Sequence, residues 1–460
     1  MKKILLLILL LIPFNVYAEE AKNLSKGAAY TINNSPTYKY NDDNIKTYNT
    51  LSKEKELRIT SSDKISHVYI IYELSSKAGT LKTDNEEISL GTNGYLHEYQ
   101  ELTVPSNTLT LTYNEDVKIN EIKIYGEGDI PKDVQKWTTE DKTDLMIFST
   151  HADDEQLFFA GVMPTYINQG KKVHVVYLAR HDIGAYYNPS RMHEQLNGLW
   201  TLGVTDYPTF GLIPDAFSEG SNSLATAEAQ IKQAGFTTDD IIKFDVTEIR
   251  KYKPKVVLGH DVEGEYGHGQ HKLNTSTLKQ AIEKSKDSNY IIEGFEAYDV
   301  PKVYLHLYDL DNKTVLDYDV PLEKYDGKTA YQVSKEGYKM HLSQQYTWFT
   351  NWLNGKNNSY TSATQITKYN PAYWGLYYTT VGPDVNKNDL FENIVEEKEI
   401  ENNDNKKTKV TKVEPVSKFK RMLNRFILKT NLIVGSVLII SIILIILIKV
   451  NKHKNKKATK

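Results

Sequence analysis

The fold of this chain is decided by the stretch Leu145-Met146-Ile147-Phe148-Ser149-Thr150-His151-Ala152-Asp153-Asp154-Glu155. Its apolar first half predicts a strand over residues 144–150, and residues 156–169 have the pattern of a helix. A buried strand followed directly by a helix is the repeating unit of an α/β sheet. His151, Asp153 and Asp154 stand between the two, where the sites of open α/β sheets lie.

The same alternation continues along the chain. Residues 173–179 and 255–259 have the composition of apolar strands, and residues 191–202 that of a helix that ends at Gly203. Apolar strands alternating with helices indicate a parallel sheet with helices on both faces. We therefore expect an α/β domain with a Rossmann-like parallel sheet over residues 143–395.

A second polar motif, Glu265-Tyr-Gly-His-Gly-Gln-His271, follows the strand that ends before His260. His151 and Asp154 are three residues apart, as are His268 and His271, so each pair can face one point. Two imidazoles and one carboxylate with an open fourth position are the usual ligands of catalytic zinc, and they also suit Fe(II). Asp153 cannot share the face of His151 and Asp154, and it is placed to act as a general base.

These motifs resemble the PIG-L/LmbE-like family of metal-dependent N-acetylglucosaminyl deacetylases. The resemblance is carried by residues 151–155 and 265–271, and by Arg191-x-x-Glu194 running to Leu202-Gly203. It implies an LmbE-like fold in which one divalent metal activates a water. The metal ligands that it implies are His151, Asp154 and His271.

The resemblance also implies the roles of other residues. Asp153 would be the general base, and His268 with Tyr266 would face the oxyanion. Asp182 and Arg191 would hold sugar hydroxyls; the alternatives are a loop carboxylate and an Arg191–Glu194 pair on one helix face. The chain departs from the family pattern at one position, where Ala152 replaces the usual Pro.

Other aromatic and histidine residues have less specific interpretations. Residues 369–378, which include Trp374, could stack a sugar ring or pack in a core. We expect His181 and His193 to be solvated and His174 to be structural.

The N-terminal part divides into two predicted segments. Residues 1–18 have the basic, apolar and small-residue regions of a signal peptide. Residues 23–130 show short alternating runs separated by turn residues, which predicts an all-β sandwich. Its ends resemble discoidin-like modules, so that it is either a carbohydrate-binding module or a plain spacer. A short polar connector, residues 131–142, is expected to follow.

The C-terminal part predicts attachment to a membrane. Residues 396–430 read as a charged stalk with a basic juxtamembrane segment, residues 432–448 as a transmembrane helix, and residues 449–460 as a basic cytoplasmic tail. The expected localisation is therefore the cell membrane, single-pass, with an extracytoplasmic body.

The composition restricts the partners of the chain. It has no Cys, which excludes disulfides and thiolate metal sites. The net charge of −3 combines basic ends with an acidic body, which disfavours nucleic acid as a partner. The sequence thus predicts an exported, membrane-tethered, zinc-dependent deacetylase of a GlcNAc-like amino sugar in a cell-surface glycan or glycolipid. The alternatives are a non-catalytic glycan-binding protein and a hydrolase of another amide.

Overall fold

The computed structural model describes residues 19–216 and 222–395. Its first part is an eight-stranded, antiparallel sheet in which the strands pair in the order β2-β1-β4-β7-β5-β6, with β8 on β4 and β3 on β8. The strands are β1 Ala29–Ile32, β2 Ser35–Pro36, β3 Asn49–Leu51, β4 Leu57–Tyr72, β5 Gly79–Lys82, β6 Glu87–Leu90, β7 His97–Tyr113 and β8 Val117–Tyr125.

This sheet differs from the predicted two-sheet sandwich because its two longest strands run through it. The register between β4 and β7 shifts around Ile65, and beyond that irregularity β4 also pairs with β8. A bulge lets one strand bend and serve two sets of neighbours. The alternating apolar residues of both halves face one core, which contains Leu57, Ile70 and Leu111. The likeness to a discoidin module stays a prediction.

The second part is a six-stranded sheet in the order β10-β9-β13-β14-β16-β15, which positions the polar motifs. Its strands are β9 Leu145–Ser149, β10 Val173–Tyr177, β13 Val256–Gly259, β14 Lys302–His306, β15 Thr314–Val315 and β16 Tyr373–Thr379, and a separate pair consists of β11 Ala179–Arg180 and β12 Ile213–Pro214.

The predicted Rossmann-like parallel sheet is thus a mixed sheet. The strands β10, β9, β13 and β14 are parallel and buried along their whole length, as expected for strands between two layers of helices. The strands β16 and β15 join antiparallel. No α/β alternation marks them in the sequence, because a strand that returns antiparallel needs no crossover helix.

Eight α-helices lie in the described part of this domain. They are α1 Asp154–Leu157, α2 Val162–Asn168, α3 Ser190–Thr201, α4 Leu224–Gln233, α5 Thr238–Tyr252, α6 Gly269–Lys286, α7 Ala330–Tyr338 and α8 Trp348–Asn354. The single helix predicted over residues 156–169 is therefore two helices. The chain turns at Gly161, whose φ of +83° suits glycine, and a Cβ there would lie 2.6 Å from the Tyr318 ring.

Among the described residues, no helix is both long and apolar enough to cross a membrane. The longest, α6, has 18 residues and carries five charged side chains. This finding contradicts the predicted single-pass localisation at the cell membrane. The segment on which that prediction rested, residues 432–448, lies outside the described residues, as do the predicted signal peptide, stalk and tail.

The β-rich part meets helix α3 through buried polar and aromatic side chains. The Tyr69 hydroxyl lies 2.7 Å from His97 Nδ1, and His97 Nε2 lies 2.8 Å from His193 Nδ1 on α3. The Tyr95 and Tyr207 rings stack with centroids 4.2 Å apart. The predicted polar connector, residues 131–142, also contributes to this contact, because its residues Val134, Gln135 and Trp137 are buried.

Both histidines of this contact are neutral in the folded protein. Burial, followed by the effect of His193, holds the pKa of His97 well below its usual range, and burial lowers the pKa of His193 to about 4. The expectation that His193 is solvated is wrong, since its side chain is fully buried. A group with a depressed pKa takes up its proton more readily in the unfolded chain, so the folded state loses stability as pH falls below about 6.5.

We expect this effect in the pH dependence of unfolding. Between pH 7.5 and 5.0, His193 should cost the wild type about 2 kcal/mol of unfolding free energy, because only the unfolded imidazole is protonated there. In His193→Gln, which cannot be protonated, the loss over this range should be smaller by that amount. Urea unfolding at the two pH values measures it, and equal losses in both proteins would contradict the assignment.

Candidate metal centre

Three ligand atoms converge at the carboxyl ends of β9 and β13. His151 Nδ1 and His271 Nε2 each lie 3.1 Å from Asp154 Oδ2, and the two nitrogens are 3.3 Å apart. All three side chains are buried. Tetrahedral bonds of about 2.1 Å would place neighbouring ligand atoms about 3.4 Å apart, so this spacing fits a site for a divalent metal.

The hydrogen bonds at the far side of each ring show which nitrogen carries the lone pair. His271 Nδ1 donates to Glu265 Oε2 at 2.8 Å, and His151 Nε2 donates to Gln270 Oε1 at 2.8 Å. The unprotonated nitrogens are therefore His271 Nε2 and His151 Nδ1, the two that face Asp154. In the neutral rings, two lone pairs directed at the Asp154 carboxylate oxygen fit a divalent cation.

Asp154 supplies the third donor from the first position of α1, where its side chain is buried. The backbone N–H of His151 also donates to Asp154 Oδ2 at 2.8 Å. The carboxyl group is thus kept as an anion, which is the form that binds a metal.

His260 lies beside these donors, and its nitrogens are already engaged. The Thr150 backbone N–H donates to His260 Nε2 at 3.1 Å, and His260 Nδ1 donates to Glu265 Oε2 at 2.8 Å. Although Asp154, His260 and His271 could form a three-residue cluster, these bonds leave His260 no lone pair for a cation. We therefore assign His260 to the support of the centre rather than to its ligands.

Glu265 is the support shared by three imidazoles. Its carboxylate accepts from Nδ1 of His260, of His271 and of His306, the last at 2.7 Å, and it is fully buried. Burial alone would raise the pKa of Glu265, but its interaction with His260, together with the hydrogen bonds from His271 and His306, lowers it well below its usual value. Such outer partners fix the tautomer and direction of metal-binding histidines.

Asp153 lies next to the three donors without sharing their point of convergence. Its φ of 102° is unusual for a residue with a side chain, and its backbone N–H donates to Glu155 Oε2 at 2.9 Å. Burial, opposed by Arg191, raises the pKa of Asp153 to about 7. A carboxylate with that pKa can both take up and release a proton near neutral pH.

His268 and Tyr266 lie on the open side of the donors. A nitrogen of His268 lies within 4.8 Å of ligand atoms of His151 and His271. The Gln270 backbone N–H donates to His268 Nδ1 at 3.2 Å, which puts the proton of the neutral ring on Nε2. The Tyr266 ring centroid lies 5.5 Å from those of both His268 and His271.

Arg191 points from α3 into the site. Its Nη2 donates to the Ala152 carbonyl at 2.6 Å and lies 3.6 Å from Asp153 Oδ1, and its Nη1 donates to Asp215 Oδ2 at 3.3 Å. The alternative of an Arg191–Glu194 pair does not describe this helix, since Glu194 accepts from the backbone and hydroxyl of Ser343. Arg191 therefore belongs to the site in geometry.

Asp182 is engaged with a neighbour. Both of its oxygens accept from Arg180, at 2.6 Å each. This bidentate pair holds the loop after β11, and the role of Asp182 toward a sugar stays a prediction.

The substitution of Ala152 for the family's usual proline is accommodated by the local hydrogen bonds. The Ala152 N–H donates to His181 Nε2 at 3.3 Å, a bond that proline could not make. His181 is fully buried, so the expectation that it is solvated is wrong. The strand-to-helix turn is thus held to His181 by a hydrogen bond in this chain.

Sequence reasoning missed several members of this site. Asp215, His341 and His306 come from separate segments, and no local spacing links them to the two motifs. The supporting roles of Glu265 and His260 could have been found, because Glu265 is the first residue of the second motif and His260 directly follows strand β13. Trp374, a candidate for sugar stacking, is fully buried and packs in the core.

The fold and the donor set are of the kind found in metal-dependent hydrolases. Residues 146–282 match the model of the PIG-L family, described as GlcNAc-PI de-N-acetylase. The resemblance to the PIG-L/LmbE-like family is thereby confirmed, and these residues form a PIG-L domain.

Two relatives illustrate the match. A 1D-myo-inositol 2-acetamido-2-deoxy-alpha-D-glucopyranoside deacetylase 2 of Saccharopolyspora erythraea is 28% identical over 176 residues, which cover 35% of this chain and 63% of the relative. A deacetylase of the same name, numbered 1, from Catenulispora acidiphila is 24% identical over 178 residues, covering 35% and 54%. The chain thus spans somewhat more than half the length of these curated relatives. Their names agree with the predicted class of enzyme.

Similar solved structures include the N,N'-diacetylchitobiose deacetylase of Pyrococcus horikoshii, with a TM-score of 0.35, 14% identity, and 51% of this chain and 84% of that chain covered. A conserved protein of Thermus thermophilus has a TM-score of 0.36 and 15% identity, covering 53% and 96%.

Proposed function

We propose that this protein hydrolyses the N-acetyl group of an amino sugar in a glycan, as a metal-dependent deacetylase. The observation that carries the proposal is the convergence of His151 Nδ1, His271 Nε2 and Asp154 Oδ2 within 3.3 Å, with the lone pairs facing inward. The names of the relatives support the N-acetylated amino sugar as the substrate class.

The metal is proposed to be zinc, with Fe(II) as the alternative, held by His151, Asp154 and His271. When bound there, the metal makes water acidic and polarises the acetyl carbonyl. Two nitrogens and one carboxylate oxygen suit both ions, so the donor set alone leaves the choice between them to measurement.

The proton path starts at Asp153. Its carboxylate accepts one proton from the water that attacks the acetyl carbon, and a new C–O bond forms. The same carboxyl group then gives that proton to the sugar nitrogen as the C–N bond breaks, so that acetate and a free amine result. The raised pKa of Asp153 makes both transfers favourable near neutral pH.

The side chains on the open side bind the substrate. His268, protonated on Nε2, donates to the oxygen of the acetyl group as it becomes negative. Tyr266 closes the site beside His268 and excludes water. Arg191 holds Asp153 and Asp215 in position and can donate to a sugar hydroxyl, whereas Asp182 can accept from one.

The proposal is tested by acetate release from the metal-loaded full-length protein. We expect acetate and a matching amount of free amine from N-acetylglucosamine and its oligomers, and none from an N-acetylated amino acid. The control is the same protein stripped of metal, which should release none. Acetate from the amino acid alone would make the protein a hydrolase of another amide, and glycan binding without any acetate release would make it a binding protein.

A further inference from the structure

Two exposed aromatic side chains lie at the start of α8. Tyr346 is 98% exposed and Trp348 is 50% exposed, whereas most large aromatic residues of the described chain are buried or half-buried. Leu342, four residues before Tyr346, is 54% exposed. The mechanism above uses none of these side chains.

The exposed Trp348 ring is continuous with the candidate metal centre. The Trp348 ring meets the Tyr266 ring edge-on, with centroids 5.8 Å apart, and stacks near Phe349 at 4.1 Å. Tyr266 in turn lies 5.5 Å from His268 and His271. A row of aromatic rings thus leads from the ligand atoms to the solvent.

The segment that carries these rings is held by hydrogen bonds. The Gln345 side chain donates to the carbonyls of Tyr338 and His341, and the Tyr338 hydroxyl donates to the Gln344 carbonyl. Trp352 Nε1 donates to the Lys368 carbonyl at 2.8 Å. A surface fixed in this way binds a ligand with little loss of conformational entropy.

The chemistry of the segment favours a neutral, hydroxylated ligand. Between Met340 and Gly355, residues 341–354 contain no Lys, Arg, Asp or Glu, and they include Gln344, Gln345 and Asn351. Exposed aromatic faces receive the C–H faces of sugar rings, and amides bind hydroxyls. A segment that binds an anionic membrane surface would instead carry Lys or Arg.

We propose that Trp348 and Tyr346 form a stacking subsite for the sugar ring next to the reacting N-acetylated unit. The ligand class is therefore a neutral N-acetylated oligosaccharide or polysaccharide rather than a single amino sugar. The proposal rests on the proposed function for the position of the reacting unit.

The test uses penta-N-acetylchitopentaose and N-acetylglucosamine with the metal-loaded full chain. In Trp348→Ala and in Tyr346→Ala, kcat/KM for the pentamer should fall roughly 3- to 10-fold, the size of one aromatic contact. For the single sugar it should change less than about 2-fold. Trp348→Phe should retain most of the pentamer activity, and Leu342→Ala is the control for an exposed apolar side chain without a ring. An equal loss on both sugars, or none, would overturn the subsite.

A binding measurement separates failure of the subsite from failure of the proposed function. Calorimetry with Asp153→Asn, which is expected to bind but not to turn over, should show weaker pentamer binding when Trp348→Ala is added. If wild type released no acetate while binding still depended on Trp348, the subsite would stand and the proposed deacetylation would fall. Undetectable pentamer binding would overturn the subsite. So would binding of the protein to phosphatidylglycerol vesicles if Leu342→Ala and Trp348→Ala each abolished it, because the exposed side chains would then form a membrane-binding surface.

Discussion

Asp153→Asn is expected to lower kcat by roughly 10²–10⁴-fold, the usual contribution of a general base, while the metal content stays unchanged. The amide has nearly the shape of the carboxylate but cannot accept the proton of the attacking water. Asp153 is not one of the three converging donors, and Glu265 bonds directly to His271. The substitution therefore leaves the proposed metal-binding groups in place. Acetate release and metal content are measured on the same preparation.

The matched control is Asp239→Asn, which removes a carboxylate exposed on the first turn of α5. It should behave as the wild type in both measurements. Near-normal turnover of Asp153→Asn with bound metal would remove Asp153 from the mechanism. Loss of metal together with turnover would instead make it a ligand.

His271→Ala is expected to abolish stoichiometric metal binding, and with it all acetate release. The change removes one of three donors and leaves Glu265 with one imidazole partner fewer. Because only two of the three assigned donors would remain, the affinity should become too low for the protein to keep its metal during dialysis against metal-free buffer. His151→Ala should have the same effect for the same reason.

Metal content by mass spectrometry checks this result, and circular dichroism shows whether the fold persists. His174→Gln serves as the control, because His174 is a buried histidine of β10 that bonds to Asp206 and Thr209 instead of the centre. One equivalent of metal in folded His271→Ala would refute the ligand assignment and shift it to His268 or His260.

The convergence of His151, Asp154 and His271 could be predicted because the spacings that produce it are local. His151 and Asp154 are three residues apart after one strand, and His271 follows the neighbouring strand, so periodicity and sheet topology bring them together. His306, Asp215 and His341 could not be predicted in this way. Each comes from a different segment. Only the three-dimensional packing places His306 beside Glu265, Asp215 beside Arg191 and His341 beside Glu155.

The aromatic residues show a second limit of the sequence. Trp374 lies in a Tyr-rich stretch and Trp348 in an amide-rich stretch. Composition alone does not show which of the two rings is buried and which is exposed. The structure buries Trp374 at the second position of β16, whereas it leaves Trp348 half-exposed at the first position of a short helix. A ring can receive a ligand only in the second situation. The mixed sheet was missed for a similar reason, since a returning strand has no helical signature.

The contact between His97 and His193 has a consequence for how this protein can be divided. The segment that matches the family begins at residue 146, and an expression fragment cut there would lack the partner of a buried imidazole on α3. The same cut would uncover Tyr207, Trp200 and the polar groups that meet Gln135 and Leu96. Helix α3 also carries Arg191 to Asp153. The β-rich part and the catalytic fold therefore bury part of each other's surface. We expect that exchanging either one with a homologue would require redesign of this shared surface.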